Sequence, residues 1–80
     1  MILLTLMSRP DCGLCEEMLI ELKSVAAGRA QVDVFDISDD EDLMRKYVFE
    51  IPVLLHGDRE LCRHRLDREQ LDYYLDQHAS

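Results

Sequence analysis

Basic residues are scarce in this sequence. Nine Lys and Arg residues stand against 17 Asp and Glu residues, which gives a formal net charge of −8 over 80 residues. A surface this acidic attracts neither a nucleic-acid backbone nor an anionic lipid surface unless it carries a local basic patch. The densest group of arginines, at positions 63, 65 and 68, is interrupted by neutral and acidic residues. We therefore expect no nucleic-acid partner and no membrane partner.

Long apolar runs are also missing. The longest uncharged run, residues 1–8, ends at Arg9, whereas a transmembrane helix needs about 20 apolar residues. The same run lacks the basic start and the small-residue cleavage site of a secretory signal peptide. We therefore expect a cytoplasmic protein, in a compartment where thiols are kept reduced.

Cysteine is present in an odd number. Three cysteines cannot form a fully paired disulfide scaffold, and in a reducing compartment cysteines are catalytic, metal-binding or inert. The length of 80 residues predicts one domain, residues 1–80, that has no room for a large enclosed cavity. Any chemistry therefore lies near the surface, and we expect a monomer.

Hydrophobic periodicity predicts seven elements. Apolar or alternating runs indicate strands, and apolar residues at intervals of three and four indicate helices. Capping patterns begin two of the helices, at Ser38 and at Asp67, and Gly28 ends the first helix. The predicted strands are residues 2–7, 31–37, 52–56 and 59–63, and the predicted helices begin at Cys12, after Ser38 and after Asp67.

The order β-α-β-α-β-β-α predicts an α/β fold. The first two strands flank a helix and should be parallel with a right-handed crossover, and the last two form a hairpin. The result is a four-stranded mixed sheet with helices on both faces. Three finer expectations follow from periodicity. The second strand is covered on both sides, Leu14 belongs to the buried stripe of the first helix, and Leu61 and Cys62 face opposite sides of the last strand.

The pair Cys12 and Cys15 is the strongest functional feature. It follows a strand directly and begins a helix, so Cys12 lies where free backbone N–H groups and the helix dipole stabilise a thiolate. Cys15 lies one turn further along the same face, within reach of a disulfide. We therefore predict that Cys12 is the nucleophile of a dithiol exchanger and that Cys15 is its buried resolving thiol. Arg9 adds a cation nearby, and neighbouring carboxylates oppose it.

A proline at the start of an inner strand needs a reason, because it cannot donate to the ladder. Pro52 follows Ile51 at such a position. We favour a cis bond beside the dithiol, which would leave the N–H and C=O of Ile51 free to pair with an extended peptide or thiol substrate. The alternative is a trans proline that ends the preceding helix.

Together these motifs resemble the thioredoxin superfamily and, within it, the short bacterial glutaredoxin-like proteins of a family of unknown function. The resemblance is carried by Cys12-x-x-Cys15, by Tyr47-x-x-x-Ile51-Pro52, and by the closing hairpin and helix. It covers nearly the whole chain. It implies a thioredoxin/glutaredoxin fold and a thiol–disulfide oxidoreductase with no bound organic cofactor. Its partner would be a disulfide-containing protein or glutathione, the latter as a co-substrate.

The resemblance also implies roles in substrate binding. Arg9 matches a basic residue that contacts the glutathione carboxylate, and Asp67 lies near the place where glutaredoxins bind the γ-glutamyl end. Two departures weaken glutathione binding but not dithiol exchange: the residues between the cysteines are not the usual Pro-Tyr, and no Gly-Gly pair follows the hairpin. The expected substrate-binding residues are Arg9, Gly13, Leu14, Ile51, Pro52 and Asp67.

Other functions compete with dithiol exchange. The three cysteines together with His64 or His56 would supply four zinc ligands, but the spacing of Cys62 and His64 is shorter than zinc sites use. A redox-inert adaptor and an iron–sulfur cluster held by Cys12 and glutathione are further alternatives. Cys62 itself fits a partly buried apolar residue better than a regulatory thiol, and we expect no resident metal.

Overall fold

The computed structural model describes residues 1–78. The elements follow the predicted order β-α-β-α-β-β-α, with a short 3₁₀ turn before the second α-helix. The strands are β1 (Ile2–Ser8), β2 (Ala30–Asp36), β3 (Val53–His56) and β4 (Arg59–Arg63); the α-helices are α1 (Gly13–Ala26), α2 (Glu41–Tyr47) and α3 (Arg68–His78); the 3₁₀ turn is Ile37–Asp39.

The four strands form one mixed sheet in the order β2-β1-β3-β4. Strand β1 is parallel to β2 and antiparallel to β3, and β3 and β4 form the closing hairpin. The parallel pair requires a crossover, which α1 supplies between β1 and β2. The register of β1 and β3 pairs Met7 with Val53, so the end of β1 and the start of β3 lie at the same edge of the sheet. The predicted α/β fold and mixed sheet are confirmed.

Two apolar clusters cover the two faces of the sheet. The larger cluster joins α1 and α3 to one face, and the smaller joins α2 and the 3₁₀ turn to the other, so helices lie on both faces as expected. The fully buried side chains belong mostly to the larger cluster, whose buried members are Leu4, Leu6, Met18, Leu22, Ala26, Leu54, Leu71 and Leu75. This face anchors the helix that carries the two cysteines.

Strand β2 is an edge strand and is not covered on both sides, so that prediction is wrong. Val34 and Phe35 point to opposite faces and are 50% and 45% exposed. Val34 pairs with Leu6 and so lies on the face of α1, whose buried stripe does not cover it. Phe35 pairs with Met7 and lies on the face of α2, but it is not part of the smaller cluster there. The alternating apolar pattern therefore correctly predicts a strand here, but it does not predict whether that strand is buried.

Three of the four predicted helix boundaries are right, including the start of α1 at Cys12, and one is wrong. Asp67 begins α3, where its carboxylate accepts a hydrogen bond from the Gln70 N–H at 3.1 Å, and Gly28 follows α1 with a positive φ of 78°. The N-cap of α2 is Asp40 and not Ser38, because the Asp40 carboxylate accepts the Leu43 N–H at 3.1 Å. Ser38 instead lies in the 3₁₀ turn.

A β-bulge interrupts the β3–β4 ladder. Leu54 pairs with Cys62 while Leu55 pairs with Glu60, so Leu61 is the extra residue. Leu61 and Cys62 consequently both pack against the larger apolar cluster. The prediction that they face opposite sides of the strand is wrong, since strict alternation holds only in an unbroken ladder.

None of the helices in residues 1–78 combines the length and the apolar character that crossing a membrane requires.

Candidate functional site

The β1–α1 junction positions the two cysteines. The chain leaves β1 at Ser8 and turns through Asp11, which has a positive φ of 60°. Cys12 then takes the N-cap position of α1 with an extended backbone, φ −104° and ψ 106°. Its carbonyl accepts the first helical hydrogen bond, from the Glu16 N–H at 3.1 Å. This tight turn directly after a buried strand places the Cys12 side chain at the N-terminal end of α1.

Cys12 and Cys15 are joined by a disulfide, with their Cα atoms 5.2 Å apart. Cys15 is 4% exposed and belongs to the protein interior, whereas Cys12 is half-buried. The Cys15 N–H donates to the Cys12 sulfur at 3.3 Å, so that sulfur fills the place of a capping oxygen at the helix start. Free N–H groups at this end of the helix favour negative charge on the same atom. The site thus pairs one accessible sulfur with one protected sulfur.

The residues between the cysteines lie on the surface. Gly13 begins α1 and Leu14 is 43% exposed, so the expectation that Leu14 belongs to the buried stripe is wrong. The buried stripe of α1 instead runs through Cys15, Met18, Leu22 and Ala26. Leu14 lines a cavity of about 120 Å³ beside the residues at 64–66. An exposed apolar side chain next to the disulfide is available to a docking substrate.

Arg9 lies on the other side of the helix start. With Cys15, Glu16 and Val34 it lines a small, mostly apolar pocket of about 140 Å³. Its charge also acts on Asp36 at the end of β2: hydrogen bonds from Ser38, and then the Arg9 charge, lower the pKa of the Asp36 carboxyl below its ordinary value. The structure therefore places Arg9 beside Cys15, where its positive charge also acts on the carboxylate of Asp36.

The Ile51–Pro52 peptide bond is cis. The β1–β3 register, continued by one residue beyond Met7 and Val53, sets Pro52 opposite the end of β1, from which the chain turns toward Cys12. The Ile51 N–H, however, donates to the Tyr47 carbonyl at 3.0 Å. The expectation that this N–H is free for a substrate is wrong, because the end of α2 uses it in a final helical turn.

The contacts of Asp67 are with the start of α3 and with the cavity that Cys62 lines, and not with the disulfide. Its carboxylate caps α3, and it lines a cavity of about 80 Å³ together with Cys62 and Tyr74. Cys62 is half-buried there, and burial raises the pKa of its thiol above the ordinary value, an effect that a hydrogen bond from the Asp67 backbone partly offsets. This cavity is a second surface, separate from the surroundings of Cys12.

Two of the histidines, His56 and His78, belong to a cluster of their own around Tyr74. The Nδ1 atom of His56 forms a hydrogen bond with the Tyr74 hydroxyl, and His78 stacks on the Tyr74 ring at 4.0 Å. The place of His56 at the tip of the predicted hairpin suggests a solvated side chain, but it is part of an aromatic cluster near the end of α3. Within residues 1–78, no three His, Cys, Asp or Glu side chains are arranged to hold a metal ion.

Sequence reasoning missed a group of charged side chains beside Pro52. Arg63 at the end of β4 donates to Glu50 at 2.7 Å and to Glu60 at 2.6 and 2.7 Å. These hydrogen bonds, with Glu60 first and Glu50 second, raise the pKa of the guanidinium above its ordinary value. The predicted hairpin could have revealed the pair, because its register sets Arg63 next to Val53 and so near the residues that precede β3.

These features define a class. The fold is a four-stranded mixed sheet with helices on both faces, a Cys-x-x-Cys pair at the start of the first helix and a proline before the third strand. That is the arrangement of a thioredoxin-fold protein. Comparison with known families then identifies the branch: residues 3–76 match the glutaredoxin-like domain (DUF836). The chain belongs to this glutaredoxin-like family.

Solved structures agree with this placement. Protein XcR50 of X. campestris is 35% identical, with a TM-score of 0.73, and the match covers 92% of this chain and 96% of that one. Protein Ne2328 of Nitrosomonas europaea is 33% identical, with a TM-score of 0.79, and the match covers 91% and 89%.

A more distant neighbour is a mutant thioredoxin of Halobacterium salinarum. It is 19% identical, with a TM-score of 0.66 over 99% of this chain and 75% of that one, and at this identity it shows the fold alone. A comparison with curated proteins found no match.

Proposed function

We propose that this protein is a thiol–disulfide oxidoreductase. Its substrate is a protein disulfide or a glutathione mixed disulfide, and the electrons come from the Cys12–Cys15 dithiol. One observation carries the proposal: the sulfur of the half-buried Cys12, at a helix N-terminus, is bonded to the sulfur of Cys15, a residue that is only 4% exposed and lies three positions further along the chain. The accessible sulfur can reach a substrate, and the protected sulfur can react only with its neighbour.

The reaction proceeds by two exchanges. The Cys12 thiolate attacks one sulfur of the substrate disulfide, a bond forms between Cys12 and that sulfur, and the other substrate sulfur leaves as a thiolate. Cys15 then loses its proton and attacks the Cys12 sulfur, which forms the Cys12–Cys15 disulfide and releases the second substrate thiolate. Two electrons pass from the protein to the substrate, and two protons complete the substrate thiols.

The local electrostatics support Cys12 as the attacking sulfur. It sits at the N-cap, where backbone N–H groups converge, and the Cys15 N–H already donates to it. The positive end of the helix dipole stabilises a thiolate more than a thiol, so it favours attack by this sulfur and its release from a mixed disulfide. Cys15 lies inside the first turn and serves to resolve the mixed disulfide.

The oxidised protein needs two electrons to regain its dithiol. We propose that two glutathione molecules supply them, becoming one glutathione disulfide, or that a flavoprotein reductase does so in a reducing compartment such as the cytoplasm. Arg9 supports glutathione as a carboxylate partner because it lines a pocket beside Cys15. Asp67 gives less support, because its carboxylate caps α3.

The proposal is tested by trapping the mixed disulfide. The Cys15→Ser variant should accumulate a covalent adduct at Cys12 with an oxidised peptide substrate, because no second thiol can release it. The Cys12→Ser variant should form no such adduct and should lose disulfide exchange by at least about 1,000-fold, since the attacking thiolate is absent. Intact-protein mass spectrometry, followed by peptide mapping, measures both outcomes.

Cys62→Ser is the matched control for these variants. It removes the third thiol, which is half-buried and lies on β4, and it should exchange disulfides within about twofold of the unmodified protein. An adduct that maps to Cys62, or full activity in Cys12→Ser, would contradict the assignment. Absence of any exchange by the unmodified protein would favour the redox-inert adaptor.

A further inference from the structure

Four contacts tie the end of β4 to the segment that precedes β3. Arg63 donates to the Glu50 carboxylate at 2.7 Å, and the His64 N–H donates to the Pro52 carbonyl at 2.8 Å. The Nε2 atom of His64 lies 3.2 Å from the Phe49 carbonyl oxygen and 3.6 Å from the Glu50 carboxylate. Two adjacent residues thus hold the segment 49–52 from one side.

Arg63 is itself fixed before it reaches this segment. Glu60, three residues earlier on β4, receives two of its hydrogen bonds, at 2.6 and 2.7 Å. A guanidinium group that makes a two-point contact with one carboxylate has a defined plane and keeps its remaining donors in a defined direction. That direction leads to Glu50, so the position of Glu50 follows from the position of β4.

His64 adopts a backbone conformation that side chains with a Cβ seldom take. Its φ is 67°, in the left-handed region, where a non-glycine residue needs support from its surroundings. The hydrogen bond of its N–H to Pro52 and the contact of its ring with Phe49 supply that support. Both supporting groups belong to the same segment, so the two loops stabilise each other.

Two observations place the segment 49–52 on the side of the molecule where the dithiol lies. Pro52 follows from the β1–β3 register as the neighbour of the end of β1, and His64 lines the same cavity as Leu14, the residue before Cys15. The segment also carries Phe49, whose side chain is 88% exposed. A peptide that places its disulfide at Cys12 meets this segment, whereas a small disulfide reagent can reach Cys12 without it.

We propose that Arg63 and His64 are positioning residues that clamp the segment 49–52 against the dithiol, so that it orients protein and peptide disulfides for attack by Cys12. This rests on the dithiol exchange proposed above. Neither residue touches the reacting sulfurs in the structure. Their effect is on where a peptide substrate binds and not on the chemistry of the thiolate, and the substrate class is a peptide disulfide with an apolar flank that can meet Phe49.

The test compares two substrates in single-turnover reactions of the reduced full chain, with each substrate in excess over the protein, so that the dithiol supplies both electrons and no added reductant is present. One is a synthetic peptide with a single disulfide flanked by leucine, and the other is 5,5′-dithiobis(2-nitrobenzoic acid). Arg63→Gln should lower the second-order rate constant for the peptide roughly 10-fold, mainly through a higher half-saturating peptide concentration and not a lower limiting rate, because the substrate is held in a poorer geometry. Its rate with the small reagent should stay within about twofold.

Arg29→Gln is the matched control. Arg29 also bridges two carboxylates, Asp72 at 2.7 Å and Asp76 at 2.9 Å, but it does so beyond the far end of α1. It should change neither rate by more than about twofold, which separates positioning from a general loss of stability. If Arg63→Gln fails to fold, Glu50→Gln carries the test, because it removes one charge and keeps the shape of the side chain.

Each outcome decides the question. A peptide rate in Arg63→Gln or Glu50→Gln equal to that of Arg29→Gln would overturn the clamp and leave dithiol exchange in place. An equal loss with both substrates would also overturn it, since the effect would then be on Cys12 itself. No reaction of the unmodified protein with either substrate would instead overturn the exchange activity on which the clamp depends.

Discussion

Cys15 and Cys62 are both withdrawn from solvent, but different parts of the molecule withdraw them. Cys15 lies in the first turn of α1, bonded to Cys12 and 4% exposed. Cys62 is half-buried on β4, packed against the larger apolar cluster beneath α3. Burial raises the pKa of the Cys62 thiol, whereas a helix N-terminus favours the thiolate. The comparison teaches that burial alone does not determine what a cysteine does: Cys15 is buried next to Cys12, whose sulfur lies at a helix N-terminus, whereas Cys62 lies on a strand without such a neighbour.

The largest expected effect is on reactivity. In the reduced protein at about pH 7, iodoacetamide should modify Cys12 at least about 100-fold faster than Cys62, because only a thiolate reacts and burial keeps Cys62 protonated. Mass-spectrometric peptide mapping over time measures the two rates separately, and Cys12→Ser isolates the slow one. The rate at Cys62 should rise only when the pH approaches its raised pKa. Equal rates of modification at neutral pH would contradict the expected difference in thiolate content between Cys12 and Cys62.

A smaller effect concerns the helix that covers Cys62. Asp67→Ala should lower the free energy of unfolding by about 1 kcal/mol, since it removes the carboxylate that accepts the Gln70 N–H. Asp67→Asn keeps an acceptor and should cost only a few tenths of that. Because the Asp67 charge contributes to the raised pKa of Cys62, Asn should also make this thiol slightly more reactive. Urea unfolding and alkylation measure the two effects, and equal losses for both variants would contradict the capping role.

The smallest effect is a pH dependence of stability from the same strand. Hydrogen bonds from Arg63 lower the pKa of Glu60 below its ordinary value of 4.5. The group is therefore more acidic in the folded state, so it stabilises the fold above about pH 4.5 and loses that contribution as the pH falls through its lowered pKa. We expect less than about 1 kcal/mol, because solvent screens the pair. Urea unfolding between about pH 6 and pH 3 should show a shallower decline in Glu60→Gln than in the unmodified protein.

Local features of the fold could be predicted from the sequence. The element order, the cap at Asp67 and the glycine after α1 depend on short-range patterns, and the structure has them as expected. The exposure of Val34 and Phe35 could not be predicted in this way. It depends on where β2 lies in the sheet and how much of β2 the helices on each face cover, and the alternation of a single strand determines neither quantity.

The same distinction between short-range patterns and long-range contacts applies to the candidate site. The pairing of Cys12 with Cys15 follows from their spacing and from the strand-to-helix change around them. The use of the Ile51 N–H by Tyr47, and the contacts of Arg63 and His64 with the segment 49–52, arise from loops that meet only after the sheet has formed. Long-range contacts of this kind leave no periodicity in the sequence, although a correct hairpin register narrows the set of residues that can make them.

The bulge in β4 bears on how the protein behaves when it is concentrated. A second chain can add a strand to a sheet edge only where backbone N–H and C=O groups continue at regular spacing. Leu61 breaks that spacing in the middle of a five-residue strand, and charged side chains at 59, 60 and 63 flank the break. This edge therefore resists joining to another sheet, which protects the molecule from aggregation on the side that carries the clamp.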